Sequence, residues 1–169
     1  QDLISHVKQN PGKVNIGTIN VGSTQNLAAE LLLSSAGLDA VIVPYKGSPD
    51  VIVALRGNDI LFSVDMLAPL VAQQKAGTIR ILATTGSKRF EATPDIPTVA
   101  ESGVPGFEAS SWNGITAPKG TPQEIINKLN AEIKIALAKP AVQSKLLELG
   151  ITAEWCSPAD MKTFVEGDV

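Results

Sequence analysis

The chain has 169 residues, of which 44 % are apolar and 18 % charged, with a formal net charge of −3. That composition supports a sizeable folded core, in one domain or one and a half at about 150 residues each, and excludes a disordered chain. Basic residues are scattered, with no run longer than Lys88-Arg89, which excludes a surface for nucleic acid or an anionic membrane.

The chain lacks an initiator Met and opens on "QDLISHVKQNPGK", a stretch that reads as a helix already under way. A fragment or a processed chain is therefore expected, and the missing signal peptide says little about location. Five apolar, β-branched runs follow as expected strands: "VNIGTI" (14–19), "AVIVPY" (40–45), "DILFSV" (59–64), "TIRILATT" (78–85) and "WNGITA" (112–117). Helical spacing fills the gaps between the first four. Leu27, Ala28, Leu31 and Leu32 mark the first such helix, Val51 and Leu55 the second, and Leu67, Leu70 and Val71 the third. Gly37, Gly57 and Gly77 stand where these helices should stop, and Gly12 and Gly150 where two others should. Starts are marked by "SPD" at Ser48, "TPQE" at Thr121 and "SPAD" at Ser157, each a capping residue followed by Pro.

The order β-α-β-α-β-α-β implies an α/β fold with a mostly parallel sheet flanked by helices. From about Phe90 the rhythm changes to a Pro- and Gly-rich stretch with one short helix expected near residues 98–102. The tail carries one short strand and three helices, at 122–137, 141–149 and 158–166. It has too few strands for a sheet of its own and reads as part of a second lobe.

Ligands of parallel α/β sheets collect at the carboxyl ends of strands. Three such junctions are "NVGST" (20–24), "PYKGS" (44–48) and "VDM" (64–66). The first two place small residues at helix N-termini, where free N–H groups favour an anion; plain helix capping accounts for the same residues. Neither junction has the Lys of a phosphate loop or three spaced glycines. The edge has no Arg, and Lys46 is its only cation. A small carboxylate suits it better than a nucleotide. Asp65 reads either as the N-cap of the following helix or as an acceptor for a ligand hydroxyl, ammonium, protonated acid or water. Trp112 reads as interface packing or as a ligand-facing wall. His6 and Cys156 are single residues in unsuitable places, so no catalytic pair, no metal site and no cofactor are expected. No apolar run approaches the roughly 18 residues needed to cross a bilayer, and one cysteine allows no internal disulfide.

"NPGKVNIGTINVGSTQNLAAELL", "VIVPYKGSPDVIVAL", "VDMLAPLVAQQKAGTIRILATT" and "SKRFEATPDIPTVAESGVPGFEASSWNGITAPKGTP" together resemble the Bug/TctC family, the extracytoplasmic solute receptors of tripartite tricarboxylate transporters. The resemblance runs over essentially the whole chain. It implies a two-lobed, type II periplasmic-binding-protein fold that is not an enzyme. Such a receptor closes on a small carboxylate and presents it to the membrane permease subunits; delivery of ligand state to a sensor partner is one alternative, and a small α/β enzyme, for which the chain lacks a nucleophile–base pair, is another. It implies ligand-binding positions at Thr18, the Gly22-Ser23-Thr24 turn, the Tyr45-Lys46-Gly47 loop and Asp65, with Trp112 where the chain returns to the first lobe. Residues 1–110 would then be most of the second lobe, and residues 111–169 the returning part of the first. A full-length member would carry about a hundred more N-terminal residues, including half of the pocket. Asn26 and Val64 depart from the His and Phe frequent in the family.

Overall fold

The computed structural model describes residues 2–168. Its contacts divide the chain into two units, Gln1–Ser111 and Trp112–Val169. In the first unit α1 (Asp2–Gln9) leads into β1 (Asn15–Ile19), followed by α2 (Thr24–Ala36), β2 (Val41–Tyr45), α3 (Ser48–Gly57), β3 (Phe62–Ser63) and α4 (Leu67–Lys75). The strands form a parallel sheet of order β2-β1-β3. Thr18 is opposite Pro44 and Ile16 opposite Phe62.

Alternation along β1 sends successive side chains to opposite faces. Ile16 packs with Val7 of α1 and Leu33 of α2. Gly17 faces the other way, against Ile60 and Val51 of α3. Helices α2 and α3 therefore cover opposite faces of the sheet. Val7, Ile16 and Val51 are fully buried, and each such side chain contributes about 1.5–3 kcal/mol. Pro44 sits in edge strand β2, where a missing N–H is tolerated.

The first three expected strands form, but residues 78–85 do not make a fourth. Thr84 makes only an isolated bridge with Thr98. The reason is where the backbone groups go. Thr84 donates to Pro97 O at 2.9 Å and accepts from Val99 N–H at 2.9 Å, and Thr85 O accepts from Ala109 N–H at 2.8 Å. The later irregular segment has taken the partners a sheet strand would supply. The expected helix at 98–102 is a single turn, because Gly103 takes φ 118° directly after it. Ser102 N–H donates to Thr98 O at 3.0 Å. A capping box closes the turn: Glu101 N–H donates to Thr98 Oγ1 at 3.1 Å and Thr98 N–H to Glu101 Oε2 at 2.7 Å.

Arg89 Nε reaches the same carboxylate at 2.9 Å, and its Nη1 donates to Pro94 O at 3.1 Å. The Arg89 hydrogen bond, then the Thr98 N–H, hold the Glu101 carboxyl below its ordinary value. A carboxylate with a depressed folded-state value stabilises the fold above its unfolded value, and that contribution is lost as pH falls through the folded one. Acidification is therefore expected to loosen this clasp. Hydrogen exchange at Thr98 N–H, corrected for its intrinsic rate, should accelerate below the usual carboxylate range. In Glu101→Gln that pH dependence should vanish.

Two expected helix starts differ as well. The N-cap of α3 is Gly47, not Ser48, and the N-cap of α5 (Gln123–Leu137) is Pro122, not Thr121. Each hydroxyl is engaged elsewhere: Ser48 with Asp65, and Thr121 with Pro118 O at 2.8 Å. At the end of α3, Gly57 is the last helical residue and Asn58 takes the left-handed cap at φ 60°.

The second unit holds α5, α6 (Pro140–Glu148) and α7 (Pro158–Asp168). The Ser157 cap forms as expected, with Asp160 N–H donating to Ser157 Oγ at 3.1 Å. Lys134 Nζ lies 3.9 Å from the centre of the Trp155 ring. Residues 112–117 form no strand, since no described residue of this unit offers a partner strand. No described residue of the unit is buried. Ile125, Leu129, Ile135 and Phe164 remain exposed.

Candidate functional site

The strand order fixes where a ligand can sit. From β1 the chain crosses by α2 to β2 on one side, and then by α3, on the opposite face, to β3 on the other. The carboxyl ends of β1 and β3 thus flank a topological switch point, where the connections diverge and leave a crevice. The Asn20–Thr24 turn leaves one lip and Val64-Asp65 the other.

The turn is built from its own polar groups. Gly22 takes φ 79°, a conformation that favours glycine. Its N–H donates to Asn26 Oδ1 at 2.9 Å. Ser23 N–H donates to Asn20 O at 3.1 Å. The Ser23 hydroxyl donates to Ile19 O at 2.7 Å and accepts from Asn26 N–H at 3.1 Å, which makes it the N-cap of α2. Leu27 N–H returns to Ser23 O at 2.9 Å. Among the described residues, the N–H groups of Thr24 and Gln25 have no partner. These two lie at the positive end of the α2 dipole. Gly22 and Ser23 hold the turn's shape; Thr24 and Gln25 carry its free donors. Sequence reasoning missed Gln25 and the clamp role of Asn26. The signal for the clamp was present in the Ser-x-x-Asn spacing, a relative of the capping box.

The second junction differs. Tyr45 packs its side chain on the Val51–Ala54–Ile60 cluster, and its carbonyl accepts from Asn20 N–H at 2.9 Å, tying the two loops together. Lys46 is exposed. Gly47 is extended backbone at φ −178°. Pro49 has no N–H to offer, and Asp50 N–H is taken by Gly47 O at 3.1 Å. The start of α3 is therefore a poorer anion site than the start of α2.

Thr18 lies on the α2 face of β1, two residues beyond Ile16. It is 0 % exposed and its Oγ1 has no partner among the described residues. In this conformation it offers no exposed surface to a ligand. Asp65 is not the N-cap of α4; that residue is Met66. Asp65 Oδ1 accepts from the Ser48 hydroxyl at 2.8 Å and from Met66 N–H at 2.7 Å, while Oδ2 is buried without a partner among the described residues. Trp112 belongs to the second unit, where its ring meets Phe164 edge-on at 5.6 Å. His6 is at the opposite, amino end of the strands, lining a shallow cavity with Lys13, Asn15 and Asn58. Beside Thr24, an apolar groove runs along Leu27, Ala28 and Leu31, closed by Glu108, Ala109 and Ser110. Among the described residues no group of three His, Cys, Asp or Glu could hold a metal ion, and no helix is long and apolar enough to cross a membrane.

Residues 1–169 match the family described as the tripartite tricarboxylate transporter family receptor. The chain belongs to this family. The family is one of receptors, not of enzymes. Among the TctC relatives is the "UPF0065 protein in tcbD-tcbE intergenic region" of Pseudomonas sp. (strain P51), 37 % identical over 92 % of this chain and 47 % of the relative. The chain spans about half the length of the first curated relatives it matches. Among solved TctC-like structures, R. palustris Rpa4515 with adipate matches with a TM-score of 0.86 at 37 % identity, over 98 % of this chain and 56 % of that one. The periplasmic binding protein BugD matches with a TM-score of 0.76 at 28 % identity, over 98 % and 56 %. MatC (Rpa3494) from Rhodopseudomonas palustris with bound malate matches with a TM-score of 0.72 at 29 % identity, over 90 % and 52 %. The fold is accordingly α/β of the periplasmic-binding-protein kind, with a parallel sheet flanked by helices.

Proposed function

We propose that this TctC chain forms half of a two-lobed solute receptor that captures a small carboxylate outside the cytoplasmic membrane and delivers it to the permease subunits of a tripartite transporter. In this reading residues 1–110 are most of one lobe and residues 111–169 return to the other. The observation that carries it is the pair of unpartnered N–H groups on Thr24 and Gln25, at the switch point and at the positive end of α2. Fixed N–H donors that need no reorganisation hold a carboxylate by charge-assisted hydrogen bonds. Gly22 and Ser23 hold the turn, and Lys46 adds a nearby positive charge. Gly47 and Tyr45 shape the second loop, and Thr18 lies on β1 shortly before the turn. The bound adipate and malate named for two structural neighbours favour a carboxylate. A receptor that feeds a membrane transporter meets its solute on the outer side, which favours a periplasmic location.

A thermal-shift screen of mono-, di- and tricarboxylates on the full-length receptor tests the reading. At least one acid should raise the melting midpoint in a concentration-dependent way, as binding to the native state alone requires. A flat response to every acid would sink the proposal.

A further inference from the structure

Helix α2 carries more apolar residues than its core contacts use. Ala29 and Leu33 are buried, Leu33 in the cluster around Ile16. Leu27 and Leu31 take no part in that cluster and are 60 % and 43 % exposed. Single exposed leucines are ordinary on a protein surface. These two instead form one wall of a groove of about 250 Å³, whose other wall is Glu108, Ala109 and Ser110. Both walls belong to the first unit. The second wall is held in place, because Ala109 N–H donates to Thr85 O at 2.8 Å. On the helix side, Thr24, Leu27, Ala28 and Leu31 line the groove. Their spacing is i, i+3, i+4 and i+7, which aligns side chains in a stripe along one helix face. At 1.5 Å per residue that stripe is about 10 Å long. Thr24, at its head, is the first residue of α2 and carries one of the free N–H groups. The Thr24 nitrogen and side chain share one Cα, so the donor and the groove are contiguous.

The chemistry of the groove differs from that of its head. Among the described residues no Lys, Arg or His lines it, and its one ionisable group is the Glu108 carboxylate. A carboxylate at the head meets fixed N–H donors. A second carboxylate inside the groove would lose water to apolar side chains and meet the like charge of Glu108. A hydrocarbon chain suits both walls. Resting on the receptor reading above, we infer that this groove is a further subsite of the carboxylate site, that it takes the hydrocarbon chain of the bound acid, and that Leu27 and Leu31 set the chain length preferred. The substrate class is then a monocarboxylate with an apolar tail, favoured over short or polyanionic acids. The division of labour is the usual one in a ligand site: a few placed polar groups fix orientation, and apolar lining supplies the contact.

The test is calorimetry on the full-length receptor with straight-chain monocarboxylates from acetate to decanoate, beside the α,ω-diacids of equal length. In the wild type each added methylene should tighten binding about two- to fourfold, until the chain outruns Leu31 and the gain stops. Each diacid should bind more weakly than its monoacid, and Glu108→Gln should narrow that gap. Leu27→Gln and Leu31→Gln place a good helix former at exposed positions. Both should flatten the length dependence, with the greatest loss for the longest acids. Val53→Gln, at an exposed apolar position of α3 outside the groove, should keep the wild-type slope, which separates the groove from general adhesion of fatty chains. Acids that bind the wild type with no dependence on chain length would overturn the inference and leave the receptor reading standing. A slope that persists in both leucine variants would overturn it as well. Sedimentation covers another occupant: a wild type that self-associates, and that Leu27→Gln makes monomeric without changing the slope, would show a second copy in the groove and sink the inference. If no acid of any length bound the wild type, the receptor reading would fall, and this inference with it.

Discussion

Thr24→Pro is expected to leave the fold intact and to weaken carboxylate binding by about one to two orders of magnitude. Thr24 is the first helical residue of α2, and its N–H has no partner among the described residues. Pro is well accepted at that position, because the lost N–H is unpaired anyway and the ring's fixed φ suits the first turn of a helix. The preceding residue is compatible too: Ser23 has φ −69° and ψ 159°, in the extended region that a following Pro favours. The substitution therefore removes a ligand donor without removing a structural one. A hydrogen bond to a charged group is worth about 1.5–3 kcal/mol, or about 10- to 150-fold in affinity. Calorimetric titration with the best acid, beside thermal unfolding without ligand, separates the two effects. Ser23→Ala is the contrasting case. It removes the cap and should cost about 1 kcal/mol of stability, with a smaller change in affinity. Unchanged binding by Thr24→Pro would show that the α2 start does not hold the ligand.

Gly17→Ala should destabilise the first unit by about 1–3 kcal/mol through overpacking. Gly17 is buried at the centre of β1, where an added methyl runs into Ile60 Cδ1 and approaches Val51 Cγ1 to 3.4 Å. Glycine in mid-strand usually weakens it; here it admits the close approach of α3 and Ile60. Ile60→Val removes the very atom that the methyl meets, and alone should cost about 0.5–1.5 kcal/mol. The double variant should therefore lose less than the sum of the two, a positive coupling between contacting sites. Urea unfolding of the four members of this cycle measures it. Simple additivity would mean that the strand moves to make room.

Local patterns revealed much of this fold. Helical spacing and the glycines at 37, 77 and 150 located α2, α4 and α6, and the run "NIGTI" located β1. What failed was non-local. Residues 78–85 have strand composition, but Thr84 and Thr85 bond to the 97–109 segment, a pairing no window around residue 80 contains. Ser48 has the residue type and Pro of a helix start, but Asp65, 17 positions away, draws its hydroxyl instead. At the site, the sequence indicated which junctions to inspect. It could not show that the Gly22 N–H closes the turn on itself, because that depends on where the Asn26 side chain points. It likewise could not distinguish the two oxygens of Asp65, whose difference arises entirely from neighbours on α3 and α4.

Pro44, on the outer strand of the sheet, bears on how copies of this chain would meet. Unprotected strand edges invite another chain to add on, backbone to backbone. A proline in β2 interrupts the row of donors such an addition would use. Fibril-like growth through that edge is thereby disfavoured. Association between copies would instead run through side chains, on the exposed Ile125, Leu129 and Phe164 surface of the helical unit. Contacts of that kind are non-directional and reversible, so clumping of this chain would be amorphous and curable by dilution or mild detergent.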